Sequence, residues 1–544
     1  MPGLRRATLL IVFAVLTTIA LGPGVMGGLN RFDEGFVVTG AMLIRRGWLP
    51  IQDFYVIYGP GQYYLTAAAF QLAGENLMVS ALLHMALLVT LGTLLLVHAR
   101  TLCRDHRALV VVVALGFIVV TGVIRPNRGY AAVPASLCVL LSLLGLQRWG
   151  RRGNLAALSC ASVCAGLAGL FRWDFGIFGL LALALTLAWV LWTQHSPLRR
   201  FAVTLAVAVL PGLAVLVAGF APFLADGNAG RWFADVPLFL LRELHIWRNL
   251  DFIAPTIEAL RAAYTTVNLW ALAYRASDLL LAALPFVAAG AGLVISALRI
   301  RRSRGVVDVG DTVALMLALV VLFMLNQVRV RSSLIQGYPA IVLSLPIMAY
   351  VLGLALQPAR AARRWPVALG LVALWLLPAQ VLRSEWLAAL HQQAVPGGPM
   401  RASQLRISQR AANLQDWRDS AALIHHLQAT TAPHERIYSG VSDTSRLWIN
   451  DALLYFLADR LPATRWVEME PGLSNTPSGQ AEIIEALQRY GVRTVVLWSQ
   501  SQTREPNATA RSNGTHDLDD YIRTHFEPDQ VFGDHAVWRR RLSQ

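Results

Sequence analysis

Apolar stretches of about 20 residues, enough to cross roughly 30 Å of hydrocarbon, recur along the first 382 positions of the chain and then stop. Eleven such stretches fall at residues 7–27, 77–98, 107–124, 131–147, 154–171, 175–193, 201–225, 279–298, 311–326, 334–355 and 365–382. The pattern predicts a mainly α-helical, polytopic membrane protein. The connection between the first two spans, residues 28–76, is long. Within it, residues 35–46 show helical apolar spacing that suits a helix lying flat on a membrane. Residues 62–73 form a second short apolar helix started by the Gly59-Pro60-Gly61 turn. Beyond the last span the periodicity becomes that of a soluble protein. It predicts an amphipathic helix at about 404–429, a strand at 436–441, a helix near 450–457, a helix at 479–490, a strand at 493–499, a helix near 518–524 and two strands around 530–540. The chain therefore divides into a transmembrane domain, 1–383, and an α/β domain, 384–544.

Charge adds orientation to this picture. Of 544 residues, 56% are hydrophobic and 15% charged, and every one of the 47 basic residues is Arg, which fits a GC-rich bacterial genome. Residues 384–544 carry 16 Arg against 18 acids, whereas the rest carries 31 Arg against 14 acids. The Arg of the first part concentrate in alternate short connections, including Arg100, Arg107, Arg148, Arg151, Arg199, Arg299, Arg302 and Arg363, which read as cytoplasmic. The opposite connections hold 11 of those 14 acids. An N-terminus inside and eleven spans place the C-terminal domain outside the cytoplasmic membrane. The first span follows Arg5 and Arg6 and precedes no small-residue cleavage site, so it reads as a retained helix. The basic balance reflects membrane topology, which argues against a nucleic-acid partner. Cys103, Cys138, Cys160 and Cys164 all lie in the membrane part, so the C-terminal domain must fold without disulfides.

Three clusters could carry chemistry, all at the outer ends of spans. The first is Asp33-Glu34 with the aromatic block Asp53 to Gln62. Carboxylates at a bilayer edge are costly and tend to mark function, and a carboxylate can take the proton of an attacking hydroxyl. Adjacent carboxylates could divide the labour, one as base and one holding hydroxyls. The second is Phe171-Arg172-Trp173-Asp174, a short turn in which Arg172 could bind a phosphate and Asp174 a sugar hydroxyl, or the two could simply pair. The third is Arg329-Val330-Arg331, placed outside against the charge rule, where bidentate Arg suits phosphate oxygens. Arg125 and Arg128 are a weaker instance of the same exception, and Arg231, Arg242, Arg248, Arg261 and Arg275 interleave with aromatic residues in the connection 226–277. No Gly-rich phosphate loop, Ser-His-Asp pattern or Cys/His metal spacing is present, so no cofactor is expected and no metal site is assigned. His425, His426 and His434 read as surface residues.

An acidic pair in the first outer connection, two short helices, the Tyr58-Gly-Pro-Gly61 turn, a many-span core and an extracytoplasmic C-terminal domain together resemble the GT-C superfamily of membrane glycosyltransferases. The likeness is greatest to the branch of protein O-mannosyltransferases and the lipid A aminoarabinose transferase. Asn450-Asp451-Ala-Leu-Leu-Tyr-Phe-Leu, Pro462-Ala-Thr-Arg465 and Pro471-Gly472 are similar to segments of bacterial membrane glycosyltransferases. The resemblance implies an inverting transfer of a sugar from a polyprenyl-phosphate donor to an envelope glycan, lipid or protein, at the outer face of the bacterial cytoplasmic membrane. It matches Asp33 to the catalytic carboxylate and Glu34 to its neighbour. Asp53, Tyr58 and Gln62 match the turn that shapes the cavity, with Asp174 as a further substrate-binding candidate. Arg172, Arg329 and Arg331 would stabilise the leaving phosphate. One departure stands out: where many relatives carry another acid in the second outer connection, this chain has Arg125, Pro126, Asn127 and Arg128. The rival reading is a flippase or transporter of lipid-linked glycans. It would place polar groups deep within several spans and an internal repeat in the sequence, and neither pattern is evident.

Overall fold

The computed structural model describes residues 2–26, 31–103, 106–224, 227–251, 253–266, 268–303, 307–356, 414–499, 505 and 507–541. The expected span at 365–382, the expected boundary at 383/384 and the first part of the helix expected from 404 lie outside the described residues.

Ten helices carry the other expected spans. They are α1 (Pro2–Met26), α4 (Leu77–Leu102), α5 (Arg107–Ile124), α6 (Ala132–Arg152), α7 (Leu155–Phe171), α8 (Trp173–Thr193), α9 (Leu198–Phe220), α14 (Leu269–Arg302), α15 (Val309–Val330) and α16 (Leu334–Ala355). Eight of these are long and apolar enough to cross a membrane, while α1 and α7 hold the shorter apolar runs Ala7–Pro23 and Leu155–Phe171. Their ends follow from local chemistry. Asn76, Asn154, Asn268, Asp308 and Ser333 each accept a hydrogen bond from a first-turn amide of α4, α7, α14, α15 and α16, satisfying donors that a helix leaves orphaned. A single apolar core runs through the bundle, from Phe13 on α1 through Phe117 on α5 to Tyr338 on α16.

Between α1 and α4 lie α2 (Asp33–Arg45) and α3 (Gly61–Ala73). The expectation of a flat, one-faced helix at 35–46 needs correction. Every residue of α2 from Glu34 to Leu43 is buried, because α2 has protein on all its sides. Thr39 Oγ1 donates to Ala452 O at 2.8 Å, and Phe70 of α3 stacks on Phe456 with ring centroids 5.5 Å apart. Such a ring pair contributes ~0.5–1.5 kcal/mol beyond its buried area. The connection after α9 breaks into the short helices α10 (Asn228–Phe233), α11 (Phe239–Arg242) and α12 (Leu244–Trp247), followed by α13 (Ile253–Thr265).

In the C-terminal region the first described helix is Leu414–Thr430, and five strands form a sheet in the order β2-β1-β3-β5-β4. β1 (Arg436–Val441) pairs in parallel with β2 (Leu461–Pro462) and with β3 (Thr494–Trp498). β5 (His535–Arg540) runs antiparallel to β3 and to β4 (Phe526–Phe532), the last two strands forming a hairpin. Helices Leu453–Ala458, Pro477–Arg489 and Asp517–His525 complete the α/β arrangement. Apolar residues of this region share two cores with the 31–77 connection. Met42, Phe54 and Phe70 pack with Leu427, Phe456 and Trp498; Tyr55 and Ile57 pack with Tyr438, Trp466 and Met469. Arg31 reinforces the joint by donating to Asp451 Oδ2 at 2.5 Å.

Candidate active site

The site forms where the 31–77 connection, the turns after α5 and α7, the α12 segment and the C-terminal region meet. Asp33 is the first residue of α2, where unpaired backbone amides favour a negative charge. Asn127 Nδ2 donates to Asp33 Oδ2 at 2.5 Å, and Oδ1 has no hydrogen-bond partner among the described residues. Gly129 allows this contact: at φ +82°, a side-chain Cβ there would lie 2.7 Å from the Asp33 carbonyl oxygen. Burial raises the Asp33 pKa, opposed by the Asn127 hydrogen bond and by the positive charges of Arg331, Arg248 and Arg172. The charges of three arginines thus bear on one carboxylate.

Glu34 takes a different position from its neighbour. Successive helix residues point about 100° apart, and Glu34 turns into the protein, fully buried against Arg128, whose Nε and Nη2 reach Glu34 Oε2 at 2.8 and 2.7 Å. Arg128 also donates to Val25 O at 2.9 Å, tying the pair to the end of α1. Glu34 therefore shapes the site from behind, and the two carboxylates do not share one face.

Arg172 lies between α7 and α8, and the tight Tyr58-Gly59-Pro60-Gly61 turn sits against it. Gly59 N donates to Phe171 O at 3.0 Å, and a Cβ on Gly59 would lie 2.0 Å from Leu170 O, so the approach requires glycine. The Arg172 guanidinium stands 4.5 Å from the centroid of the Tyr58 ring. It binds Asp174 through two hydrogen bonds of 3.1 and 2.9 Å, and Gln327 Nε2 also donates to Asp174 at 2.8 Å. The Nη1 atom of Arg172 is buried and makes no hydrogen bond among the described residues. Arg331 at the end of α15 is held by both carboxylate oxygens of Glu505, and Ser332 N donates to Leu250 O at 2.9 Å. The backbone of Arg329 continues α15, but its side chain lies outside the described residues. Gln62 is buried in the first turn of α3, and its Oε1 has no hydrogen-bond partner among the described residues. Asp53 is exposed and accepts from Leu49 N at 2.6 Å in its own turn, so its carboxylate organises that turn rather than joining the arginines.

Several site residues carried no decisive signal in the sequence. Arg248 lies beside the group and binds Glu470 through Nε and Nη2 at 3.0 and 3.1 Å. Like Arg128 it was legible only as an Arg outside the cytoplasmic connections. Asn127, in the connection between α5 and α6, supplies the hydrogen bond to Asp33. Glu468 and Glu470 come from the C-terminal region, more than 400 positions from Asp33. Among the described residues one group has metal-ligating spacing, Asp443, His516 and Asp519, with ligand atoms within 4.8 Å of one another; it belongs to the C-terminal region, and Thr444 already donates twice to Asp519 Oδ1.

The described residues thus form a polytopic helical bundle with two short helices after its first long helix and an α/β C-terminal region seated on them. Solved structures share it over the whole chain. ArnT from Cupriavidus metallidurans bound to undecaprenyl phosphate is 13% identical with a TM-score of 0.53, covering 98% of this chain and 97% of that one. The same protein in the apo state is 13% identical with a TM-score of 0.55, covering 99% and 98%. The sequence itself matches no protein-family profile and no curated protein sequence.

Proposed function

We propose that this protein is an inverting glycosyltransferase that moves a sugar from a polyprenyl-phosphate donor to an envelope glycan, lipid or protein at the outer face of the bacterial cytoplasmic membrane. The observation that carries the reading is the half-buried Asp33 carboxylate with the charges of Arg172, Arg248 and Arg331 around it. The neighbouring fold supports it, because ArnT with this architecture binds undecaprenyl phosphate. In the reaction, the acceptor hydroxyl oxygen bonds to the anomeric carbon from the face opposite the phosphate. The carbon–oxygen bond to phosphate breaks and its electron pair stays on the phosphate. The hydroxyl proton passes to Asp33, whose Oδ1 is free to take it. The buried Nη1 of Arg172 is placed to meet the negative charge that grows on the leaving phosphate. The orientation rests on the charge pattern of the connections, which puts this end of the bundle outside. The test is sugar transfer by the purified, full-length chain. Asp33→Asn should lower turnover by about 10²–10⁴-fold, the usual loss of a general base, with unchanged melting. Near-normal turnover in a well-folded Asp33→Asn protein would refute the assignment.

A further inference from the structure

The segment Trp466-Val-Glu-Met-Glu470 enters the site from the C-terminal region. Tyr55 N donates to Arg465 O at 2.8 Å, and the Tyr55 and Trp466 rings lie 5.2 Å apart, so the segment is fastened to the same connection that holds Asp33 and Tyr58. Asn450, fully buried, grips the backbone on both sides of Glu468: its Nδ2 donates to Val467 O and its Oδ1 accepts from Met469 N, each at 3.0 Å. Val467 and Met469 enter separate apolar cores. Glu468 is therefore fixed in place, 8% exposed, and its carboxyl makes no hydrogen bond among the described residues. The cation at hand, Arg248, is bound by Glu470 instead.

The carboxyl oxygens of Glu468 are not sealed from solvent, so the group is held open to a ligand rather than spent on a protein partner. Burial raises the Glu468 pKa well above 4.5, helped by the negative charges of Glu470 and Asp33 and opposed by Arg248. The charge of Glu468 in turn raises the pKa values of Tyr55, Tyr58 and Tyr63, so it bears on the 31–77 connection that holds Asp33. A carboxyl held there offers acceptor oxygens and, when protonated, an O–H donor to a ligand.

We propose that Glu468, lent to the membrane site by the C-terminal region, binds a hydroxyl group of the sugar being transferred. The assignment rests on the glycosyltransferase reading and makes the C-terminal region part of the donor site. Glu468 binds the sugar; Asp33 and the arginines act on the acceptor proton and the phosphate.

The test compares binding of bare undecaprenyl phosphate with binding of undecaprenyl-phosphate-linked mannose, glucose and arabinose to the full-length protein. Wild type should bind one sugar-bearing probe more tightly than bare undecaprenyl phosphate. Glu468→Ala should lose about 3- to 10-fold of that preference, the range for one hydrogen bond, with affinity for undecaprenyl phosphate unchanged. Glu468→Gln, which keeps a neutral donor and acceptor of the same shape, should retain it. In wild type the preference should fade as the pH rises through the raised Glu468 pKa, and in Glu468→Gln it should not. An equal sugar preference in wild type and Glu468→Ala, or the same alkaline loss in wild type and Glu468→Gln, overturns the proposal. Failure of wild type to bind undecaprenyl phosphate at all would instead overturn the glycosyltransferase reading, and the Glu468 assignment with it.

Discussion

The joint between Arg31 and Asp451 gives a quantitative prediction about how the C-terminal region is held on the membrane part. Asp451 is 2% exposed, and its Oδ2 receives Arg31 Nη1 at 2.5 Å and lies 3.1 Å from His535 Nε2. Burial alone would raise its pKa; Arg31 and His535 outweigh burial and bring the value from 3.8 down to about 2. A shift of nearly two units corresponds to about 2 kcal/mol of stability. The sign follows from which state binds the proton more readily. The folded carboxyl is the stronger acid, so the contribution is complete above the unfolded value of 3.8 and is lost as the pH falls from about 4 towards 2. Asp451→Asn should therefore destabilise the detergent-purified protein by about 2 kcal/mol at pH 7. The difference from wild type should shrink as the pH falls below 4. Denaturant unfolding followed by tryptophan fluorescence reads it directly, because Trp448 and Trp498 flank Phe32 beside the joint. Equal midpoints for wild type and Asp451→Asn at pH 7, or a gap that persists undiminished at pH 3, would refute the reasoning.

Two further outcomes test the geometry of the site. Gly129→Ala should cost about 1–3 kcal/mol of stability, because a non-glycine residue is strained at positive φ and the new Cβ would crowd the Asp33 carbonyl; turnover should fall with it, and unchanged melting and turnover would mean that the turn yields freely. Arg331→Gln should weaken binding of undecaprenyl phosphate and Arg331→Lys should restore it only partly, since Lys lacks the two-pronged donor; unchanged affinity in both would assign Arg331 solely to its ion pair with Glu505.

The sequence by itself determined the two-part organisation, because a bilayer demands long apolar helices and water demands alternating patterns; each leaves a period that can be read residue by residue. It also singled out Asp33, Arg172 and Arg331 as candidates, since a charge at a membrane edge stands out against an apolar background. The strands at 436–441 and 494–498 and the closing hairpin were legible for the same reason, whereas the two-residue strand Leu461–Pro462 is too short to leave a period. What only the tertiary structure decided is how the parts meet. Asp33 and Glu34 are adjacent in the chain, yet the helical rotation sends one towards the arginines and the other to Arg128. Asp53 looked like a site residue and is spent on its own turn. Glu468 and Glu470 look like ordinary charges of a soluble segment, yet Tyr55 and Trp466 fasten that segment to the 31–77 connection and Glu470 pairs with Arg248. Local pattern records the solvent each residue meets. It does not record which distant segment will supply the partner, because that choice is made by the packing of the whole chain.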